Sequence, residues 1–294
     1  MTGQSLFDEI TLEELEAMAV ETIIKAKEQF KPVATYALFS GGNDSTAMML
    51  LMRDHVDAAV HISTGIGITD KGRSALDHVR SCCEQWKLPL IVLETPPAVY
   101  RKIVLRDDKP NGGFPGRHDI TYHLLKNQRL QEFQRDQSKK GERILLVSGV
   151  RKGESTRRRT GVASEIIEGP RGRLTRCCWV KPITYFTKSH LLAFRQKHEL
   201  PQCDGAAYLH KSGECLCGAF PQPFDLAELT FWFPETGAYI RSLEVEAERM
   251  GKPYCKWGVG HGKKGKAPGP LCSSCELFDL TPNAYRTSDK ADHG

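Results

Sequence analysis

A run with strand character, residues 35–39, opens directly into Ser40-Gly41-Gly42-Asn43-Asp44-Ser45-Thr46, and a helix-favouring run, 47–52, follows. No other stretch restricts the fold as strongly. Two adjacent glycines between a buried strand and a helix let the backbone bend sharply and let an anion approach with no Cβ in the way. The first amides of a helix have no partner within it. Together with the hydroxyls of Ser40, Ser45 and Thr46 they can hold phosphate oxygens. A tight turn capped by Asp or Ser would use the same residues, so shape alone leaves both readings open. No Gly-Lys-Ser/Thr follows the glycines, which separates this turn from the Walker A type.

The surrounding pattern repeats the same alternation. Residues 12–30 have helical spacing, with Glu and Lys on the outer face, and Lys31-Pro32 ends them. Strands are expected at 57–62, 90–93 and 143–147, and a helix at 70–86. Strands alternating with helices imply a parallel sheet covered on both faces. In such sheets ligands bind at the carboxyl ends of the strands, so the turns after Phe39, Ile62 and Leu93 should converge on one crevice. Residues 225–250 are helical by pattern, with Pro234 dividing two helices. Cys82-Cys83 falls inside the 70–86 helix and reads as packing, one thiol toward the core and the other away.

The 294 residues suffice for one large domain with an appendage, or for two small domains. Forty per cent hydrophobic and 26% charged residues are ordinary for a soluble globular protein. No apolar run approaches the roughly 20 residues of a membrane span. The acidic stretch 1–16 lacks the apolar core of a signal peptide, so a cytoplasmic protein with no membrane partner is expected. The net charge of +5 suits anionic substrates and permits a nucleic-acid partner without demanding one.

Six of the ten cysteines lie after Pro201. In a reducing compartment such clustering points to metal or catalysis more than to disulfides. Gly213-Glu214-Cys215-Leu216-Cys217-Gly218 has the glycine-flanked form of a metal loop, and Cys272-Ser273-Ser274-Cys275 supplies a second pair. Cys215, Cys217, Cys272 and Cys275 make four thiolates, enough for one [4Fe–4S] cluster or a tetrahedral zinc. Cys203, Cys177 and Cys178 are substitutes for a ligand or candidates for a reactive thiol, and Cys255 reads as structural.

Two loops complete the picture. After the fourth strand comes Ser148-Gly149-Val150-Arg151-Lys152-Gly153-Glu154-Ser155-Thr156-Arg157-Arg158-Arg159, where the crevice is expected. An arginine at a strand end can take phosphate oxygens bidentately, so Arg151 and Arg157 are candidate phosphate ligands. A basic solvated loop is the plainer alternative. The 110–116 segment is a loop by its Pro, Asn and Gly content, leading into a polar helix that either lies in solvent or acts as a lid. The Gly- and Lys-rich stretch 257–270 reads as an exposed loop that either touches nucleic-acid phosphates or is a linker. The tail after Asp279 is expected to be disordered.

Several of these motifs match one family. Ser40-Gly41-Gly42-Asn43-Asp44-Ser45 resembles the SGGxDS pyrophosphate loop of the N-type ATP pyrophosphatases, or PP-loop proteins, whose relatives include the phosphoadenylylsulfate (PAPS) reductases. Gly149-Val150-Arg151 with Glu154-Ser155 and Arg157 resembles the GxRxxES/QSxxR motif of the PAPS reductase family. Ser63-Thr64-Gly65 resembles its Asp-Thr-Gly turn beside adenosine, with Ser in place of Asp. Arg176-Cys177-Cys178-Trp179-Val180-Lys181-Pro182-Ile183 resembles a cysteine segment of iron–sulfur adenylylsulfate reductases.

The resemblance implies a doubly wound, mainly parallel α/β sheet of adenine-nucleotide α-hydrolase type over residues 1–200. A Cys-rich, mostly helical subdomain would occupy 201–294. It implies an adenine nucleotide, ATP with Mg²⁺, contacted by Ser40, Gly41, Gly42, Asn43, Asp44, Ser45, Thr64, Gly65, Gly149, Arg151 and Arg157. Asp44, Ser45 and Arg151 would be catalytic. It favours an iron–sulfur cluster over zinc.

Three functions follow. The first is an adenylating, pyrophosphate-releasing enzyme in sulfur transfer to RNA, DNA or a small molecule, with a sulfur donor protein as partner. The second is a thiol-dependent reductase of PAPS or adenylylsulfate. The third is a non-catalytic nucleotide-binding module. The missing C-terminal ECGxH cysteine segment and the intact SGGNDS favour the first.

Overall fold

The computed structural model describes residues 10–106, 114, 121–138, 142–154, 165–168, 177–219, 226–252 and 256–258. Arg157 and its neighbouring arginines, Cys255, Cys272, Cys275 and the tail after Asp279 lie outside the described residues. So do most of the 110–116 and 257–270 loops.

Helix α1 (Leu12–Phe30) begins at a capping box, in which the Glu14 amide donates to Thr11 Oγ1 at 3.2 Å and the Thr11 amide donates to Glu14 Oε2 at 2.8 Å. It ends at Lys31, which adopts a left-handed conformation before Pro32. Then follow β1 (Ala34–Leu38), α2 (Asn43–Met52), β2 (Ala58–Ser63), α3 (Ala75–Gln85), β3 (Leu90–Glu94) and α4 (Pro97–Val104). A π-helical turn (His123–Asn127) runs into α5 (Gln128–Gln137), followed by β4 (Ile144–Ser148), β5 (Ile166–Glu168) and β6 (Cys177–Val180). The chain continues through α6 (Lys188–Lys197), α7 (Asp204–Tyr208), α8 (Leu226–Trp232) and α9 (Pro234–Arg249).

The strands form one sheet in the order β3-β2-β1-β4-β6-β5, parallel throughout except for the antiparallel edge pair β5–β6. Period-two alternation divides its side chains between two cores. Ala37, Leu145, Val147 and Cys178 face α1, α2, α3 and α6, while Tyr36, Ile144, Leu146 and Cys177 face α5. This is the expected doubly wound α/β arrangement, with helices on both faces. A third core joins α4, α8 and α9 to Ile66, Ile68, Leu216 and Cys217.

Three local readings change. Helix α3 starts at Ala75 rather than at Asp70, because Ser74 and Asp77 form a capping box there. Asp70 is instead buried and accepts from the Glu235 and Thr236 amides at 3.1 Å each, holding the first turn of α9. Both Cys82 and Cys83 are buried, and both belong to the core shared with α1, α2 and the sheet. The Cys177-Cys178 pair is a strand. Its two thiols point to opposite faces of the sheet, so they cannot hold one metal together.

Candidate nucleotide and thiol site

Between β1 and β4 the strand order reverses, since the chain leaves β1 toward β2 on one side and reaches β4 on the other. That switch point opens a crevice at the carboxyl ends of the two strands. The 40–45 turn leaves β1 there and the 149–151 turn leaves β4 there.

Helix α2 has Gly42 at its N-cap, with no side-chain cap hydrogen bond. This decides against the Asp- or Ser-capped turn. The side chains that could have capped the helix are turned elsewhere: Ser45 Oγ and Thr46 Oγ1 both donate to the Gly42 carbonyl, at 2.9 and 3.0 Å. Ser40 Oγ lies 3.0 Å from Ser45 Oγ, so hydroxyls line the mouth of the turn. Gly149 closes the other wall. A Cβ there would meet the Asp44 carbonyl oxygen and the Ser45 Cα at 3.2 Å, a tight fit against backbone that glycine avoids where the chain leaving β4 approaches α2.

Arg151 does not face open solvent. It is 3% exposed, and its Nε donates to Asp44 Oδ2 at 2.7 Å. The guanidinium thus stands behind the first turn of α2 and sets the direction of the Asp44 carboxylate, which remains partly accessible. A second arginine, Arg195 of α6, lies in no sequence motif. Its Nε is buried with no hydrogen-bond partner among the described residues. Burial lowers its pKa, while Cys203 and Asp44 act in the opposite sense. In the sequence it looks like any solvated helix arginine, and only the packing of α6 against α2 distinguishes it.

His78 of α3 lies beside the same turn, its Nε2 3.3 Å from Thr46 Oγ1 and 3.6 Å from Cys82 Sγ. Burial, then the nearby Arg195 charge, lowers its pKa to about 4. The folded-state pKa lies below the ordinary histidine value. As pH falls from neutrality toward 4, the unfolded chain therefore takes up a proton that the folded one refuses, and stability drops. We expect His78→Gln to remove roughly 1–2 kcal/mol of the stability lost between about pH 7.5 and pH 5. Urea denaturation of both proteins at the two pH values measures it. Equal pH dependence would show that His78 charges freely in the fold.

The cysteine segment is stitched to this crevice. Ile66 and Cys215 form a parallel bridge, the Leu216 amide donates to the Ile66 carbonyl at 2.7 Å, and the Ile68 amide donates to the Gly213 carbonyl at 2.9 Å. A Cβ on Gly42 would lie 3.5 Å from Ser212 Cβ, so the segment reaches the anion turn itself. Cys215 and Cys217 are two residues apart on an extended stretch, which turns both thiols to one side. Their thiols hydrogen-bond each other, and that bond, then burial, holds Cys215 well above the ordinary thiol range. The Lys126 charge, carried on the π-helical turn, pulls it back down. Tyr100 donates to the Cys217 carbonyl at 2.8 Å, and Trp257 Nε1 donates to the Leu216 carbonyl at 2.6 Å.

Two paired thiols, Cys217 buried and Cys215 partly so, with a lysine close by fit one half of a four-thiolate centre, since a metal would replace the proton on each. Among the described residues no group of three or more His, Cys, Asp or Glu forms a complete site. Cys272 and Cys275 would have to come from outside them. Of the substitutes, Cys203 is buried at the start of α7, where its sulfur accepts from the Ala206 amide at 3.4 Å. Burial raises the Cys203 thiol, pushes Cys82 up to about 12, and pushes Cys83 and Cys177 up to about 11 each.

Thr64 is fully buried, and its amide and hydroxyl both bond Glu214. Gly65 has φ +68°, and a Cβ there would sit 2.4 Å from the Thr95 carbonyl oxygen and 2.9 Å from Pro97 N. Both contacts are backbone and cannot swing aside. Gly65→Ala should therefore cost about 3 kcal/mol or more, read as a lowered urea midpoint at unchanged slope. A loss under about 1 kcal/mol would mean the turn re-forms in another conformation.

No family model matches the sequence, and no curated protein matches it. In structure the chain is similar to the phosphoadenylyl-sulfate (PAPS) reductase from Candida auris, solved as a phosphate complex. The TM-score is 0.45 at 11% identity, over 66% of this chain and 88% of that one. It is also similar to the U34-tRNA thiolase NcsA from Methanococcus maripaludis, solved with its [4Fe–4S] cluster. There the TM-score is 0.44 at 14% identity, over 83% of this chain and 77% of that one. Among the described residues, no helix is long and apolar enough to cross a membrane.

Proposed function

We propose that this chain is an ATP-dependent adenylating enzyme of the PAPS reductase-like kind, releasing pyrophosphate in the course of sulfur transfer to a nucleic acid or a small molecule. One observation carries the reading: the intact 40–45 turn lies at the switch point of the sheet, with the paired thiols of Cys215 and Cys217 on a segment that touches it.

In this reading the backbone of Gly41, Gly42 and Asn43, with the Ser40 and Ser45 hydroxyls, binds the β- and γ-phosphates. An acceptor oxygen attacks the α-phosphorus, the bond to the bridging oxygen breaks, and pyrophosphate leaves toward the turn carrying the negative charge. Asp44, with one oxygen on Arg151, is a single carboxylate of the sort that holds Mg²⁺ together with substrate phosphates. Arg151 keeps that carboxylate aimed, and Arg157 would add a second cation to the phosphates. Cys215, Cys217, Cys272 and Cys275 would hold an iron–sulfur cluster. Such a centre supplies a site for binding and delivering sulfur when loaded. A sulfur donor protein would be the partner.

Anaerobic purification, a visible spectrum, and parallel assays of pyrophosphate release from ATP and sulfite release from PAPS test this. Pyrophosphate release from a coloured, iron-containing protein is expected. Sulfite without pyrophosphate would replace the reading with that of a reductase, and tight ATP binding with neither product would replace it with a binding module.

A further inference from the structure

The chemistry proposed above leaves two buried groups unused. His61 is wholly enclosed in β2, and Glu214, also buried, immediately precedes Cys215. His61 Nε2 lies 2.9 Å from Glu214 Oε2, and His61 Nδ1 lies 2.8 Å from the Phe39 carbonyl oxygen. A carbonyl only accepts, so Nδ1 carries a proton; the contact with the carboxylate shares a second, on either atom. The other carboxylate oxygen, Oε1, accepts from the Thr64 amide at 2.6 Å, and the Thr64 hydroxyl donates to the Glu214 carbonyl.

These bonds make a continuous path. Phe39 is the residue before Ser40, where the anion turn begins, and Glu214 is the residue before the thiol pair. The path runs from one to the other through a single imidazole, away from water. Buried polar groups that lose a partner are costly, because nothing replaces the bond. If the anion turn moves the Phe39 carbonyl, His61 must follow it or lose its bond. Glu214 and the segment it introduces are then displaced too. The two loops are therefore ordered together, and a ligand that orders one lowers the ordering cost of the other.

We propose that Glu214 is a positioning residue that couples the two halves of the site, so that a nucleotide held at the 40–45 turn and a metal held by Cys215 and Cys217 strengthen each other's binding. The proposal rests on the functional reading above. By linkage the effect is reciprocal, whichever ligand arrives first.

The test uses the full chain, as isolated with its metal and again after removal of the metal with a chelator and dialysis. The probe is the α,β-methylene analogue of ATP, saturated with Mg²⁺, with affinity read by isothermal titration calorimetry. Wild type should bind it at least about fivefold more tightly with metal than without. Glu214→Ala should bring that ratio to one. Glu214→Gln should restore it, because its amide nitrogen can donate to a neutral His61 while its oxygen still accepts from Thr64. A merely structural glutamate would change both affinities alike and leave the ratio intact. Should Glu214→Ala fail to fold, Glu214→Asp, one methylene short of His61, reads the same loss. An undiminished ratio in the folded variant overturns the proposal, as does a wild-type ratio of one. If the analogue binds neither form of the wild type, the nucleotide reading itself fails and takes the coupling with it.

Discussion

Asparagine in place of Asp44 should cut pyrophosphate release from ATP by about 100-fold or more, the scale seen when one preorganised electrostatic group is removed from a reacting centre. The substitution keeps the size of the side chain and an oxygen for the Arg151 Nε–H, so the first turn of α2 should survive. What it removes is the charge. Asp44 then no longer has an anionic carboxylate to offer Mg²⁺, and Arg151, 3% exposed, is left facing a neutral amide. A buried guanidinium without its counter-charge costs stability, here about 1–3 kcal/mol since one hydrogen bond remains. The two effects separate experimentally. A coupled pyrophosphate assay at saturating ATP reads the turnover, and a denaturation curve at the same temperature reads the folded fraction. A lower unfolding midpoint with full turnover would leave Asp44 as part of the scaffold alone. A turnover loss that disappears when corrected for the folded fraction would do the same.

Serine at Cys215, or at Cys217, should lower metal affinity by at least about 100-fold, beyond what is usual for losing an outer-shell partner. The reason is the pairing itself. The two thiols already share a hydrogen bond, and a metal that binds there releases one proton from each and needs both sulfurs. A hydroxyl neither ionises at neutral pH nor offers a soft donor. Iron and acid-labile sulfide contents after anaerobic isolation measure the effect, with the visible spectrum as a second readout. Cys82→Ala and Cys177→Ala serve as contrasts. Both remove buried sulfur from the sheet cores and should cost about 1–2 kcal/mol while leaving the metal in place. Full colour in Cys215→Ser would exclude that thiol as a ligand, and a colourless wild type containing zinc would exclude the iron–sulfur assignment.

The sheet was legible because its strands announce themselves locally. Residues 34–38, 58–63, 90–94 and 144–148 are mainly apolar runs, and each falls within two residues of its expected place. Strand β6 was not legible, because Cys177-Cys178-Trp179-Val180 carries two residues whose chemistry suggests a ligand more readily than a strand. Only pairing with β4 shows that they pack. Asp70 failed as a helix start for a similar reason. An acidic residue before a helical run is a usual opening signal, yet its partners are the amides of Glu235 and Thr236, more than 160 residues away.

The anion turn could be located from local pattern alone, since glycine pairs and hydroxyls act on their own backbone. Its surroundings could not. Arg151 reads as a phosphate ligand in sequence, where an arginine after a strand has no visible partner. In the fold it is paired with Asp44 across 107 residues. His61 carries no motif, and Glu214 lies in the metal-type loop without being one of its ligands. They are separated by 153 residues, and each is an ordinary letter until β2 brings the imidazole beneath the cysteine segment.

The sequence by itself therefore determined the alternation of strand and helix, the phosphate-type turn and the CxC pair. Each depends on neighbours within a few residues, where periodicity and backbone freedom act. The tertiary structure decided which charges are spent on one another, that the Cys177-Cys178 thiols diverge, and that the thiol segment touches the anion turn. Those facts depend on burial, which raises the cost of an unpaired charge or donor and so selects partners irrespective of their distance along the chain.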